Sequence, residues 1–258
     1  MSWIDSHCHL DFDAFPNVAE IFKQLTLEGC ERVLVPAISA EFFQRLINLK
    51  DANPKIMDFA LGLHPYFLSD HKQQHLDKLN DWVGIHKPNA IGEIGLDYML
   101  NEDSFDLQKH YFQAQIEIAQ EHNLPVIIHC RKAHDLLFKI LKDMRFKQGG
   151  FIHGFSGSQQ QAKRYLDGGF ALGLGGALTH DRAKSMHKLV AYLPDDGYVL
   201  ETDSPDMAPA FAQGAVNTPL NVPRIAQNIA SLRNESIDTI FSQSTSTYYR
   251  TLSKIDAR

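Results

Sequence analysis

Near its start the chain carries His7-Cys8-His9. In an extended segment, side chains alternate between faces, so His7 and His9 point one way and Cys8 the other. Two imidazoles on one side can chelate a cation, although an isolated pair reads equally well as two ordinary histidines. The pair gains meaning from four more distant segments. Glu93 lies in Gly92-Glu93-Ile94-Gly95-Leu96-Asp97, His129 in Ile128-His129-Cys130-Arg131, His153 in Ile152-His153-Gly154-Phe155-Ser156-Gly157, and Asp203 in Leu200-Glu201-Thr202-Asp203-Ser204-Pro205. Each segment follows or opens on apolar residues and carries a group able to donate a lone pair. Four imidazoles and two carboxylates make six nitrogen and oxygen donors, a set that suits a pair of divalent ions such as Zn²⁺ or Mn²⁺. Glu93 is the natural bridge, because one carboxylate can give an oxygen to each ion. Two ions about 3.5–4 Å apart can clamp a phosphoryl or acyl group and acidify a shared water. Cys8 and Cys130 alternate away from the histidines and read as small apolar residues packed behind a wall.

Positioning six donors from five distant segments requires a scaffold. Eight short apolar runs, at 3–7, 32–37, 57–63, 90–94, 125–129, 150–153, 170–174 and 198–201, are bounded by Gly, Pro or polar residues, as buried parallel strands are. Helical periodicity lies between them at 18–28, 106–121, 135–144 and 159–167, and after the eighth run at 222–232. A terminal helix is capped by Ser236. Alternating strands and helices predict an α/β fold, a single (β/α)8 barrel over residues 1–258, with the metal site at the C-terminal face of the strands. A doubly wound open sheet is the rival. It fits less well, since eight units close naturally and the polar residues fall at one end of many strands.

The 258 residues are 44% apolar, with a formal net charge of −6. That charge argues against passive binding to a phosphate backbone, which needs Lys and Arg to release counterions. It leaves nucleic acid open as a substrate, because bound divalent ions reverse the local field. Three cysteines do not suggest a disulfide framework. The start lacks the basic and apolar stretches of a signal peptide, and no apolar run reaches the roughly 18 residues of a membrane span. The expectation is a cytoplasmic protein with no membrane association and no obligate protein partner.

Six segments together resemble the TatD family of metal-dependent deoxyribonucleases in the amidohydrolase superfamily. They are Asp5-Ser6-His7-Cys8-His9, Gly62-Leu63-His64-Pro65, Gly92 to Tyr98, His129-Cys130-Arg131, His153 to Gly157, and Glu201-Thr202-Asp203-Ser204-Pro205. The resemblance implies a distorted barrel with two divalent ions of Zn, Mn or Mg. One would be held by His7, His9, Glu93 and Asp203, the other by Glu93, His129 and His153. Gly154 stands where the family commonly has Cys, at a non-ligand position. Ala215-Val216-Asn217-Thr218-Pro219 matches only partly the family's Arg-Asn-x-Pro stretch, which touches substrate choice more than metal binding.

The implied activity is hydrolysis by a metal-activated water, with nucleic acid as substrate and phosphodiester bonds cleaved. Glu93 and Asp203 are the expected catalytic residues, Asp203 as ligand and general base. Deacylation of D-aminoacyl-tRNA and amidase or lactonase activity would use the same site. An inert barrel acting as a binding protein is disfavoured by the complete donor set. Arg131 shares the parity of His129 and is expected to pair with a phosphate oxygen beside the metals. His64 and Tyr98 are expected substrate contacts. Asp5 and Glu201 are expected either to orient imidazoles or to form a buried structural pair. Exposed positions are expected for His71, His75, His86, His110, His122, His134, His180 and His187.

Overall fold

The computed structural model describes residues 2–253; Met1 and residues 254–258, the ends of the expected domain, lie outside the described residues. The eight strands are β1 (Trp3–Asp5), β2 (Cys30–Pro36), β3 (Met57–Leu61), β4 (Ala90–Asp97), β5 (Val126–Arg131), β6 (Gly150–Ile152), β7 (Phe170–Leu174) and β8 (Tyr198–Leu200). All pair in parallel in the order β1 to β8. The helices are α1 (Val18–Leu27), α2 (Phe43–Ala52), α3 (Gln73–His86), α4 (Phe105–Glu121), α5 (His134–Asp143), α6 (Gln159–Asp167), α7 (Lys184–Tyr192), α8 (Val222–Arg233) and α9 (Ile237–Leu252). This is the (β/α)8 barrel, not the open sheet.

The barrel interior follows from the two-residue period of strands. Ile4, Leu34, Ala60, Ala90, Ile127, Phe151, Ala171 and Val199, one from each strand, form one buried cluster. Tyr248 and Leu252 of α9 belong to the same cluster and plug one mouth. Tyr248 stacks on Phe151 at 5.6 Å between ring centroids, and its hydroxyl donates to Asp58 Oδ2 at 2.7 Å. The opposite mouth is left to the strand C-termini. A larger cluster, including Phe22, Phe43, Leu79, Phe112, Leu137, Tyr165, Leu189 and Ile225, packs the helices on the outer wall.

Strand boundaries differ from expectation in an informative way. β4 and β5 run on to Asp97 and Arg131, whereas β1, β6 and β8 stop short of His7, His153 and Glu201. The β4–β5 ladder is irregular between Ile91 and Ile94, around Glu93, and the β1–β2 ladder between Trp3 and Ile4, so the barrel is distorted at both places. Between β8 and β1 closure is made by hydrogen bonds that extend beyond the strands. Ser6 N–H donates to Leu200 O (2.9 Å), Asp203 N–H to His7 O (2.9 Å) and His9 N–H to Ser204 O (2.7 Å). The His7–His9 and Thr202–Ser204 segments are thus fixed to one another.

Asp5 staples that seam. Its Oδ1 accepts from the backbone N–H groups of His7 (3.1 Å) and Thr202 (3.0 Å), and its Oδ2 from the Thr202 hydroxyl (2.6 Å). Burial pushes the Asp5 carboxyl from its ordinary 3.8 up to about 8, despite the hydrogen bonds from Thr202 and His7. A raised folded-state value means that the native state holds the proton more tightly than the unfolded chain. The associated stabilisation is complete below the ordinary value and is lost as pH rises through about 8. Asp5→Ala removes the acceptor of three buried donors, the His7 and Thr202 N–H groups and the Thr202 hydroxyl, and is expected to destabilise by roughly 1–3 kcal/mol for each one left unpaired. Asp5→Asn is expected to keep most of the staple and to abolish this pH dependence. Urea unfolding at pH 5.5, 7 and 8.5 checks both, and an Asn variant with the wild-type pH slope contradicts the assignment.

Candidate metal centre

At the open mouth, six side chains expected from the sequence converge, with one more. Glu93 lies among four imidazoles. Its Oε2 is 3.2 Å from His7 Nε2 and 3.5 Å from His9 Nε2, and its Oε1 is 3.2 Å from His64 Nε2 and 3.3 Å from His129 Nδ1. Asp203 Oδ1 stands 3.6 Å from both His7 Nε2 and His9 Nε2, while its Oδ2 is 3.4 Å from His153 Nε2. His7 and His9 bring their Nε2 atoms within 3.2 Å of one another. Metal–donor bonds of about 2.0–2.2 Å place neighbouring donors of a tetrahedral or octahedral ion about 3.0–3.5 Å apart. The observed spacings of 3.2–3.6 Å fall close to that range.

Three overlapping groups could hold an ion: His7, His9 and Glu93; His7, His153 and Asp203; and His64, Glu93 and His129. Two contacts go beyond the expected division. His153 stacks on His7 at 3.6 Å and places Nε2 3.4 Å from Asp203 Oδ2, while lining the same cavity as Glu93 and His129. His64, expected as a substrate contact, occupies the third place beside Glu93 and His129.

Outer partners decide which nitrogen each imidazole presents. Asp97 Oδ2 lies 3.1 Å from His129 Nε2 and leaves Nδ1 toward Glu93. Glu201 Oε1 lies 3.1 Å from His153 Nδ1 and leaves Nε2 toward Asp203, and the same oxygen accepts from Gly154 N–H at 2.7 Å. Carboxylates behind histidines, fixing ring orientation, are characteristic of metal sites. Glu201 therefore orients an imidazole, whereas its parity mate Asp5 holds backbone. Gly173 makes room for Glu201, since a Cβ there would meet Glu201 Oε2 at 2.0 Å.

Electrostatics follow from crowding these charges away from water. Burial opposes ionisation of Glu93, but His64, His7 and His129 outweigh it and hold the carboxyl well below its usual range. Burial likewise opposes the Asp203 charge, and His153, His7 and His9 bring its pKa down to about 2. Burial disfavours the charged form of His129, yet Asp97 and Glu93 raise it to about 9. His153 is raised well above its ordinary value against burial by Glu201 and Asp203. Burial dominates at His64, lowering it to about 4, so that this imidazole is neutral near pH 7.

The cavity over the cluster has a volume of about 350 Å³, and its outer wall is Phe12, Tyr66 and Phe67 with Asp206. Arg131 and Tyr98, expected beside the metals, line a neighbouring cavity instead; the Arg131 side chain extends from an exposed strand end. Cys8 and Cys130 are buried free thiols on the wall side, as their parity requires. Two histidines expected at exposed positions are buried: His71 places Nε2 2.9 Å from His64 O, and His134 places Nδ1 3.2 Å from Tyr165 Oη. Sequence patterning assigns no role to Asp97 or Asn217, and the structure gives one to each. Asn217 is fully buried and donates to Thr202 O (2.9 Å) and Asp206 O (2.7 Å), which anchors the loop carrying Asp203. Its signal is the Asn-x-Pro remnant in residues 217–219.

A cation entering this cluster must displace the protons that His129 and His153, and in part His9, hold above their ordinary range. Loading the metal-free protein with Zn²⁺ or Mn²⁺ at pH 7 is expected to release about two to three protons per chain. Affinity is expected to rise with pH until His129 is deprotonated at about 9. Titration in weakly buffered solution with a pH indicator measures the release, and metal uptake without proton release overturns the charge assignment.

The match to the family model "TatD related DNase" extends over residues 4–253. The chain is 38% identical to the uncharacterized metal-dependent hydrolase YjjV of Escherichia coli K12, across 92% of this chain and 93% of that one. The crystal structure of that TatD homolog superposes with a TM-score of 0.92, 36% identity and 97% coverage of both chains. A Pantoea sp. protein named 3'-5' ssDNA/RNA exonuclease TatD is 31% identical over 83% of this chain and 85% of its own. With the barrel, the convergent donor set and these matches together, the chain belongs to the TatD family of metal-dependent hydrolases.

Proposed function

We propose that the chain is a single-domain, two-metal phosphodiesterase of the cytoplasm that hydrolyses DNA, as a TatD-type deoxyribonuclease. One observation carries the reading: the Glu93 carboxylate points one oxygen at His7 and His9 and the other at His64 and His129. A carboxylate so divided suits a bridge. In this reading His7, His9, Glu93 and Asp203 would hold one divalent ion, and Glu93, His129 and His153 would hold the second. Two bound ions would supply Lewis acidity to the phosphoryl group and to a water. The name of the Pantoea relative supports nucleic acid as the substrate class.

The chain's own residues do the remaining work. Asp203 is only partly buried, with the side chain 16% exposed, so its carboxylate meets the cavity as well as the cluster. It takes the proton from the attacking water and returns it to the leaving oxygen. His153 and His7 hold Asp203 ionised, which makes it a weak base that suffices only for a water the bound ions would already have acidified. His64, neutral beside Glu93 and His129, lines the cavity and contacts substrate there, and Arg131 and Tyr98 contact it from the adjoining cavity. Phe12, Tyr66 and Phe67 offer ring faces on which a base can stack, an interaction indifferent to sequence.

Two variants test the roles. Glu93→Gln preserves shape and removes the charge, and it is expected to weaken binding of both ions by at least roughly 10–100-fold, the loss typical even of outer partners. Metal analysis after dialysis reads this directly; loss of one ion alone, or of none, rejects the bridge. Asp203→Asn removes nearly all basicity. At metal loading matched to wild type, kcat on a single-stranded oligonucleotide is expected to fall by about 10²–10⁴-fold, with KM much less affected. Near wild-type kcat at full loading eliminates the general base. The activity itself is tested by offering the purified protein Mg²⁺, Mn²⁺ or Zn²⁺ with single-stranded DNA, D-aminoacyl-tRNA and simple esters; turnover of the esters alone refutes the nuclease reading.

A further inference from the structure

Beside the metal cavity lies a second one of about 460 Å³, lined by Tyr98, Arg131 and Lys132, by Ser156, and by the starts of α5 and α6. We propose that this cavity seats the phosphate that follows the scissile one in single-stranded nucleic acid, with Lys132 and Arg131 as its cationic partners. The proposal rests on the phosphodiesterase reading above and adds to it a second anion site that selects polymers.

The two cavities are built by the same strand ends. β4 gives Glu93 to the first, and Tyr98, the residue after its end, lines the second. β5 gives His129 to the first and Arg131 to the second, and the segment after β6 gives His153 to the first and Ser156 to the second. The two cavities are therefore neighbours on the same strand ends, and a strand of nucleic acid leaving the metal cluster on this side passes the second cavity.

Charge decides which way that chain runs. The formal net charge is −6, and no Lys or Arg is among the residues lining the metal cavity. Arg131 and Lys132 are exposed, and among the described residues neither makes a side-chain hydrogen bond or an ion pair within 4 Å. The acid on the same wall, Asp135, is engaged by Arg164 at 2.9 Å. Arg131 acts on Asp97 through its charge alone, and with Lys132 it leaves two exposed cations beside a carboxylate-rich site, which suits a phosphodiester oxygen pair. Lys132 also has φ +58°, a conformation that non-glycine residues rarely adopt and that persists where the surroundings impose it. Ala133, which precedes α5, provides no side-chain cap, so the N–H groups of the first turn add to the positive field of the two side chains.

The test compares two substrates in the metal-loaded enzyme: 5'-phosphorylated trithymidylate, which can fill both cavities, and thymidine 5'-(p-nitrophenyl phosphate), which has one phosphate. Lys132→Asn removes the charge while tolerating the left-handed backbone. Relative to wild type, its kcat/KM for the trinucleotide is expected to fall about tenfold more than that for the mononucleotide ester, and to do so through KM. Equal falls, or none, overturn the proposal. A second measurement does not need turnover. Binding of the trinucleotide to metal-depleted protein is expected to lose about 0.7 from its slope of log affinity against log salt in Lys132→Asn, the contribution of one contact to single-stranded nucleic acid. An unchanged slope overturns the second site even if the enzyme is a nuclease. Failure of wild type to cleave either compound refutes the activity and leaves the binding comparison to decide the site.

Discussion

A buried carboxylate surrounded by imidazoles is the constraint on which this structure turns. Glu93 is 2% exposed, in an interior where an unpaired negative charge is strongly unfavourable. It is tolerated because His7, His9, His64 and His129 approach it from three other strand ends. Each of those rings needs its own support, and this requirement propagates outward. Asp97 stands behind His129, with its own backbone N–H and C=O held by the buried Gln108 of α4 (2.8 and 3.0 Å). His64 is flanked by Leu63, whose backbone is bracketed in the same manner by Gln115, also of α4. One helix thus sets the height of two strand ends with two amide side chains seven residues apart.

The β8–β1 seam carries the other half of the cluster. The three-residue strands β1 and β8 have little ladder of their own, and closure is completed by the segments that bear His7, His9 and Asp203. Asp5, Thr202 and Asn217 satisfy the backbone groups that this irregular course would otherwise leave buried and unpaired. Asp203 takes φ +56° there, which turns its carboxylate toward the histidines. Structure and chemistry share these residues, so a change that loosens the seam displaces three candidate ligands together.

The charge pattern separates tasks around the mouth. Acidic and imidazole groups concentrate over the barrel axis, aromatic rings lie on the β1 and β3 side, and exposed cations lie on the β5 side. In a chain of negative net charge, local cations of this kind stand against an overall field that repels anions.

Much of this was determined by sequence. Strand periodicity and Gly or Pro punctuation mark all eight strands, and parity places His7 with His9 and turns Cys8 and Cys130 to the wall. The motif at each strand end names the donors because a strand has one end and a side chain one face. Helices α2, α3 and α7 are not among the elements expected from periodicity; α3 spreads its apolar residues among charges along 14 residues and is held chiefly by packing. Parity gives direction and not distance across the barrel. Which imidazole nitrogen faces inward depends on Asp97 and Glu201, side chains that meet their histidines only after the strands align. The same reason explains His64 beside Glu93, His153 against His7, and Arg131 in a separate cavity: strand stagger and the irregularity at Glu93 set relative heights that no single segment encodes. His71 and His134 are buried by contacts with His64 and Tyr165, partners 7 and 31 residues away, and burial of that kind is a property of the assembled fold.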